Sequence, residues 1–304
     1  MNNILMLMRR EVWEHRSLWI APLTLAGVVL VIAMFGGVHM GGNQGFWFAY
    51  HDDGMTPAQR QHLIEQMSPP EDVRKGVIAG AFSMLTMVQL LVLGIVVFFY
   101  LLDTLLAERR DRSILFWKSL PLSDAEVVVS KALTALVAAP LFVLAVSAVT
   151  HMLFAGIAAV RLGDLPFVPW DTMTWLKVQA VTLGFALMVV LWYLPVAGYL
   201  MVVSVWSRKN AFLWAVLPWV GILIIEGLIM QSHHFADFLA DRFGGFAEIM
   251  AFRGARDFEP DNLVGGAYHF MGRVFADWEI WVGAVAGVAL IAAATRIRRY
   301  RDDS

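Results

Sequence analysis

The chain has 304 residues, of which 59% are hydrophobic and 16% charged, against about 25% charged in ordinary soluble domains. With a mean hydropathy of +0.65 and its charges gathered between long apolar runs, a water-soluble globule is excluded and a polytopic membrane protein is indicated. The net charge of −2 supplies no basic excess for nucleic acid, and the absence of any cysteine excludes disulfides, thiol catalysis and cysteine-ligated metals.

At the N-terminus, Ile4, Leu5, Met8 and Val12 share one face of a helix and Arg9, Arg10 and Arg16 lie largely away from it, the pattern of an amphipathic helix on a membrane surface. Six runs then reach the length a bilayer core requires, about 20 apolar residues per helix. They cover 17–38, 76–102, 132–160, 178–206, 211–230 and 276–295. The runs are continuous rather than alternating, which predicts helices and not an outer-membrane barrel. The first is too long for the apolar core of a signal peptide and no small-residue cleavage site follows Val38, so it reads as a retained span. Six spans put both termini on one side. That side carries fourteen lysines and arginines against nine in the longer opposite loops, which predicts cytoplasmic termini.

Between the first two spans, Thr56-Pro57-Ala58-Gln59 combines an N-cap, a first-turn proline and a capping-box glutamine, and Ser68 to Glu71 offers a second helix start. In span two, Gln89 is a polar residue at membrane depth, suited to an interhelical hydrogen bond or to a pathway. Pro140, Pro195 and Pro218 interrupt spans three, four and five, where each can kink its helix. Glu226 is the acidic residue well inside span five, and its charge is costly enough there that it should face protein or water, either as a gate or as a hydrogen-bonded group beside the outer loop. That outer loop, between spans five and six, contains Phe235, Phe238, Phe243, Phe246, Ile249, Met250 and Phe252 among its charges, predicting short helices against the outer membrane surface. His233, Asp237 and Asp241 fall on one helical face there, a pattern that a solvated helix explains more economically than a metal site. Gly76-x-x-x-Gly80 and Gly283-x-x-x-Gly287 permit close helix contact.

No G-x-x-x-x-G-K-[ST], G-x-S-x-G or H-E-x-x-H occurs, so the chain is not expected to hydrolyse ATP or to act as an enzyme. The segment between spans two and three is the most informative. Dense charge, Glu108-Arg109-Arg110-Asp111-Arg112, runs directly into Ile114-Leu115-Phe116-Trp117-Lys118, and Ser123-x-x-Glu126 makes a capping box opening span three after Pro121. Ile114, Trp117 and Lys118 share a face of a short helix, fitted either to a groove on a cytoplasmic partner or to the lipid headgroups.

This run from Glu108 to Asp124, with Lys131 after it, resembles the cytoplasmic loop of ABC-2 type permeases, the membrane subunits of bacterial ABC exporters. The six spans, the amphipathic N-terminus and the long outer loop are similar in outline. The resemblance implies an all-α polytopic membrane protein, a single transmembrane domain over 1–304 without a nucleotide-binding domain, in the bacterial inner membrane. It implies a coupling helix seated in a separate ABC ATPase subunit and a second permease subunit, as homodimer or heterodimer, enclosing the pathway. ATP and Mg would be held by the ATPase, with no cofactor in this chain. Glu108, Arg109 and Arg112 would then make charged contacts with the ATPase, and Ile114, Phe116 and Trp117 would fill its groove. Spans two and five would line the pathway, making Gln89 and Glu226 candidates for contact with substrate or gate. The competing classes are a non-transporting sensor or scaffold subunit and a membrane-embedded enzyme, whose active site would need more convergent polar groups than the spans offer.

Overall fold

A computed structural model describes residues 2–35, 71–114, 121–162, 172–241 and 263–300, and the described residues are helical with no strand. Helix α1 covers Asn2–Glu14, α2 Ser17–Phe35 and α3 Glu71–Arg110. Helix α4, Asp124–Leu133, passes through a π-turn at Thr134–Ala138 into α5, Ala139–Leu162. Helix α6 covers Thr172–Trp206, α7 Ala211–Ile225, α8 residues 234–241, α9 Leu263–Ala276 and α10 Trp278–Tyr300.

Among the described residues, six helical stretches are long and apolar enough to cross a membrane: Ser17–Phe35, Ile78–Arg110, Asp124–Val160, Thr172–Trp206, Ala211–Met230 and Trp278–Tyr300. They coincide with the six predicted runs, but four of them are longer at one end, α6 among them because it begins at Thr172 rather than 178. Helix α3 continues eight residues past the predicted boundary at Leu102, α4 begins at Asp124 rather than near 132, and α10 continues to Tyr300. Eight residues are about 12 Å of helix. An apolar-run reading stops where charges begin, whereas the helix continues because those charges find partners on neighbouring helices.

The core is built on α6, which packs along α3 and α10. Phe185, Met188, Leu200 and Met201 of α6 are buried among Leu90, Leu93, Leu101 and Leu105 of α3. Helices α6 and α10 cross at two glycines. A Cβ on Gly287 would stand 2.6 Å from the Leu194 carbonyl oxygen and 2.7 Å from the Pro195 nitrogen, and one on Gly198 would stand 2.6 Å from the Gly287 carbonyl oxygen. Thus Gly287 of the predicted small-residue pair makes a close approach, with Gly198 and the backbone before Pro195 opposite it. Pro140 follows the π-turn, in which the Ala139 N–H donates to the Thr134 carbonyl; the wider turn accommodates a ring that cannot donate and would crowd the carbonyl four residues back. By contrast α7 is exposed along most of its length, at Phe212, Leu213, Leu217, Ile224 and Ile225 among others, as a helix facing lipid must be.

The capping box at Ser123 is present: the Glu126 N–H donates to Ser123 Oγ at 3.2 Å and the Ser123 N–H to Glu126 Oε2 at 2.8 Å. Thr56 to Gln59, Ser68, the aromatic residues from Phe243 to Phe252, and Phe116 and Trp117 lie outside the described residues. Helix α9 does more than lie on a surface, because Ala267 and Met271 are buried against the bundle and Phe270 stacks on Phe185 at 6.1 Å.

Helix α1, the ends of α3, α6 and α10 and the starts of α4 and α7 meet at one end of the bundle, the end that the charge count assigns to the cytoplasm. Cysteine labelling tests that assignment without a cysteine-free background having to be made. Ser207 is only 2% exposed, so Lys209→Cys and His234→Cys, at exposed positions on opposite ends, are the informative pair. In intact cells an impermeant thiol reagent is expected to label His234→Cys and spare Lys209→Cys; the reverse pattern would invert the orientation.

Candidate functional site

The helix extensions beyond the apolar runs carry charges at helical spacing. On α3, Tyr100, Thr104 and Glu108 recur every four residues, and on α4 Asp124 and Lys131 are seven apart, so each set lies along one stripe. Arg298 sits one turn beyond the buried Ala294 of α10. On α1 the buried residues are Leu7 and Glu11, while Leu5 is 62% exposed, so the packed face is turned from the expected Ile4, Leu5, Met8 and Val12 stripe toward the one that includes Glu11.

These stripes converge in a buried ionic network. Lys131, 3% exposed, donates to Glu11 Oε1 at 2.7 Å and Thr104 Oγ1 at 2.9 Å, and its Nζ lies 3.1 Å from Glu108 Oε1. Three donors thereby meet three acceptors, the full capacity of an ammonium. Glu11 Oε2 also accepts from the Tyr100 hydroxyl at 2.9 Å. Glu108 Oε2 accepts from Arg298 Nη2 at 3.0 Å, and Arg298 Nη1 donates to Asp124 Oδ1. Glu108, Glu11 and Arg298 are exposed by 6% or less, where an unpaired charge would be prohibitive. His15 borders the network, 3.6 Å from Glu11 and edge-on to Tyr100. Burial holds its imidazole below the usual pKa, although the Glu11 carboxylate pulls the other way. Beside the network, Arg109 donates to the carbonyls of Ser204 and Ser207 at the end of α6, a cation on the negative pole of a helix.

The site residues expected from sequence therefore fall in different places. Glu108 faces inward, both carboxylate oxygens held by cations of the same chain. Arg109 ties α3 to α6. Arg112 is exposed in a left-handed conformation, φ 56°, that ends α3, with Ser113 Oγ donating to the Glu108 carbonyl at 3.3 Å. Ile114 is buried, 6% exposed. Gln89 is fully buried, and among the described residues neither side-chain amide atom has a hydrogen-bond partner. Glu226, 6% exposed, accepts from the Phe235 N–H at 2.8 Å, the Ala236 N–H at 3.2 Å and Ser232 Oγ at 3.3 Å. It reaches from the end of span five to satisfy the first free amides of α8. Glu226→Ala is expected to cost about 1 kcal/mol, as loss of an N-cap does, and to speed hydrogen exchange at Phe235 and Ala236; Glu226→Gln, which keeps one acceptor, should do less.

Lys131, Arg298, Glu11 and Asp124 were not anticipated as a unit, because each reads individually as a solvated charge at the end of a span. The one local signal is Glu11, an acid on the same stripe as Leu7. A second junction, also unanticipated, lies deeper. His151 of α5 is fully buried, with Gln179 Nε2 at 3.1 Å from Nδ1 and Thr86 Oγ1 at 3.3 Å from Nε2. Since Thr86 donates to the Phe82 carbonyl at 3.2 Å, the consistent arrangement is Gln179 donating to Nδ1 and Nε2–H donating to Thr86. No group of three or more metal-binding side chains occurs among the described residues.

Chemically, the network offers neither a nucleophile aligned with a base nor a metal-binding set. Its geometry is that of a clamp. Glu108 stands before the 109–123 segment and Asp124 directly after it, and both hold the same guanidinium, that of Arg298. The segment is thus clamped at both stems to span six, while Lys131 connects the Glu108 stem to α1. No family model, curated protein or solved structure matches the chain.

Proposed function

We propose that the chain is the permease subunit of an ATP-driven exporter of the ABC-2 type, coupled through its 108–124 segment to a separate ATPase and pairing with a second permease subunit to form the substrate pathway. The observation that carries this reading is the double clamp on Arg298. A segment meant to receive force from a partner needs both stems joined rigidly to the spans it moves, and Glu108 and Asp124 do this through one buried cation. Any displacement of the segment would be delivered to the ends of spans two, three and six together, and to α1 through Lys131. A set of helix ends held by discrete ion pairs can move as a block between two arrangements. The charged groups available to the ATPase are then the exposed Arg110, Asp111 and Arg112, with Phe116 and Trp117 as the groove-filling residues and Glu108 as an internal strut. The bound nucleotide and its Mg belong to the partner, and the membrane concerned is the bacterial inner membrane.

The test is co-purification with the cognate ATPase followed by substrate-stimulated ATP hydrolysis in reconstituted membranes. Aromatic anchors carry a disproportionate share of interface energy and exposed charges little. Trp117→Ala is therefore expected to weaken association by at least tenfold in order of magnitude, a loss of about 1.4 kcal/mol or more, and Arg110→Ala to have a much smaller effect. Full association and stimulation by Trp117→Ala would leave the tryptophan as a headgroup anchor and remove the coupling role. Export that persists in a strain lacking this chain, with only a regulatory response abolished, would favour a sensor or scaffold subunit.

A further inference from the structure

Four residues, 207–210, join α6 to α7. Both helices are long and apolar enough to span a membrane, so a connection this short has no length with which to leave the headgroup layer. Arg208 and Lys209 are exposed in it, and among the described residues no ion pair engages either side chain. The neighbouring cation, Arg109, is directed to the end of α6 instead. Ser207 is 2% exposed, and its buried hydroxyl has no hydrogen-bond partner among the described residues. Asn210 enters α7 in a left-handed conformation, φ 52° and ψ 57°, and its side chain caps none of the first amides of that helix. An anion at this turn would meet two cations and a positive helix pole.

The surroundings are aromatic. Trp206 and Trp214 pack edge to face at 5.1 Å, each about half exposed, and Phe212 stacks with Phe99 at 6.4 Å, again with both rings half exposed. Amphipathic rings of this kind favour the boundary between headgroups and acyl chains. A cationic turn against an aromatic wall matches a molecule with an anionic head and an apolar body.

We infer that the 207–210 turn is a binding site for the phosphate of an anionic phospholipid, held by Arg208 and Lys209, with Trp206, Trp214 and Phe212 flanking its glycerol and upper acyl chain. Charge complementarity selects among lipids. A zwitterionic headgroup would bring its own ammonium against Arg208 and Lys209, whereas a phosphatidylglycerol headgroup would not. The inference depends on α6 and α7 spanning the membrane and is independent of what the protein transports.

The experiment titrates the purified full-length chain in detergent with short-chain phosphatidylglycerol, phosphatidylcholine or inorganic phosphate and follows the thermal midpoint. Near saturation phosphatidylglycerol is expected to raise it by about 2–4 °C, with little change from the other two. Arg208→Gln/Lys209→Gln should need roughly 30-fold more phosphatidylglycerol for the same shift, and each single variant about fivefold more, from the contribution of one cation near an anionic surface. The single variants keep the test readable if the double variant does not fold. Lys177→Gln, at an exposed cation of the opposite end, should respond as the unaltered protein does. Equal shifts with phosphatidylcholine, equal shifts with inorganic phosphate, or an unchanged titration in the Arg208 and Lys209 variants would each overturn the proposal.

Discussion

Replacing Lys131 by methionine is expected to destabilise the protein by about 3–5 kcal/mol, the range for removing one partner of a buried ion pair. The reason is less the lost attraction than what remains. Without the ammonium, Glu11 and Glu108 are left as buried carboxylates, the first with only the Tyr100 hydroxyl and, at 3.6 Å, the edge of His15, the second with Arg298 alone. Thr104 Oγ1 also loses its donor. Thermal unfolding of the purified chain in detergent reads this loss directly. Adding Glu11→Gln to Lys131→Met should recover part of it, since one uncompensated charge is removed, and the double-mutant cycle should give a coupling of about 0.5–3 kcal/mol. Additive effects would mean that Lys131 and Glu11 do not form one buried pair.

Gly287→Ala is expected to cost about 3 kcal/mol, the upper end of what overpacking usually costs. The added carbon would meet the carbonyl of Leu194 and the nitrogen of Pro195, both within 2.7 Å. These are backbone atoms, which cannot swing aside as a side chain can. Only separation of α6 from α10 relieves the clash, and that opens the largest packed seam in the bundle. The control is Gly184→Ala, whose added carbon would run into the thioether of Met271. That side chain has three rotatable bonds and can yield, so the loss should stay below about 1 kcal/mol. Thermal midpoints that fall equally in both variants would show that the α6–α10 crossing tolerates separation.

Much of the fold was legible because lipid imposes a length on every apolar helix, and the six runs express that length without ambiguity. The start of α4 was legible too, since Ser123 and Glu126 are local partners whose spacing alone defines a capping box. What escaped was non-local. Lys131 meets Glu11 across 120 positions, and Arg298 meets Glu108 across 190, so no window of sequence contains both members of either pair. For the same reason the ends of α3, α4 and α10 were cut short: the apolar runs stop at the first charges, Asp103, Lys131 and Arg296, although Glu108, Asp124 and Arg298 in the turns beyond are what hold those turns. Glu226 was legible as an anomaly in span five but not as a cap, because the amides it serves lie nine and ten residues onward. Glu108, Arg109 and Arg112 look alike as a charge run. Packing separates them into an internal strut, a tie to α6 and an exposed end.

The clamp on Arg298 also bears on how the chain is made. Glu108 and Asp124 leave the ribosome 190 and 174 residues before the arginine that bridges them, a delay of roughly 10–40 s at ordinary synthesis rates. Through that interval Glu108 has Lys131 as its cation, but the guanidinium that joins it to Asp124 is absent. The two stems cannot be joined until the last span has been inserted, so a nascent chain that stalls before Arg298 would leave them unlinked. If the proposed ATPase docks on this segment, its assembly would be deferred until synthesis has passed Arg298, the late cation that joins two early carboxylates.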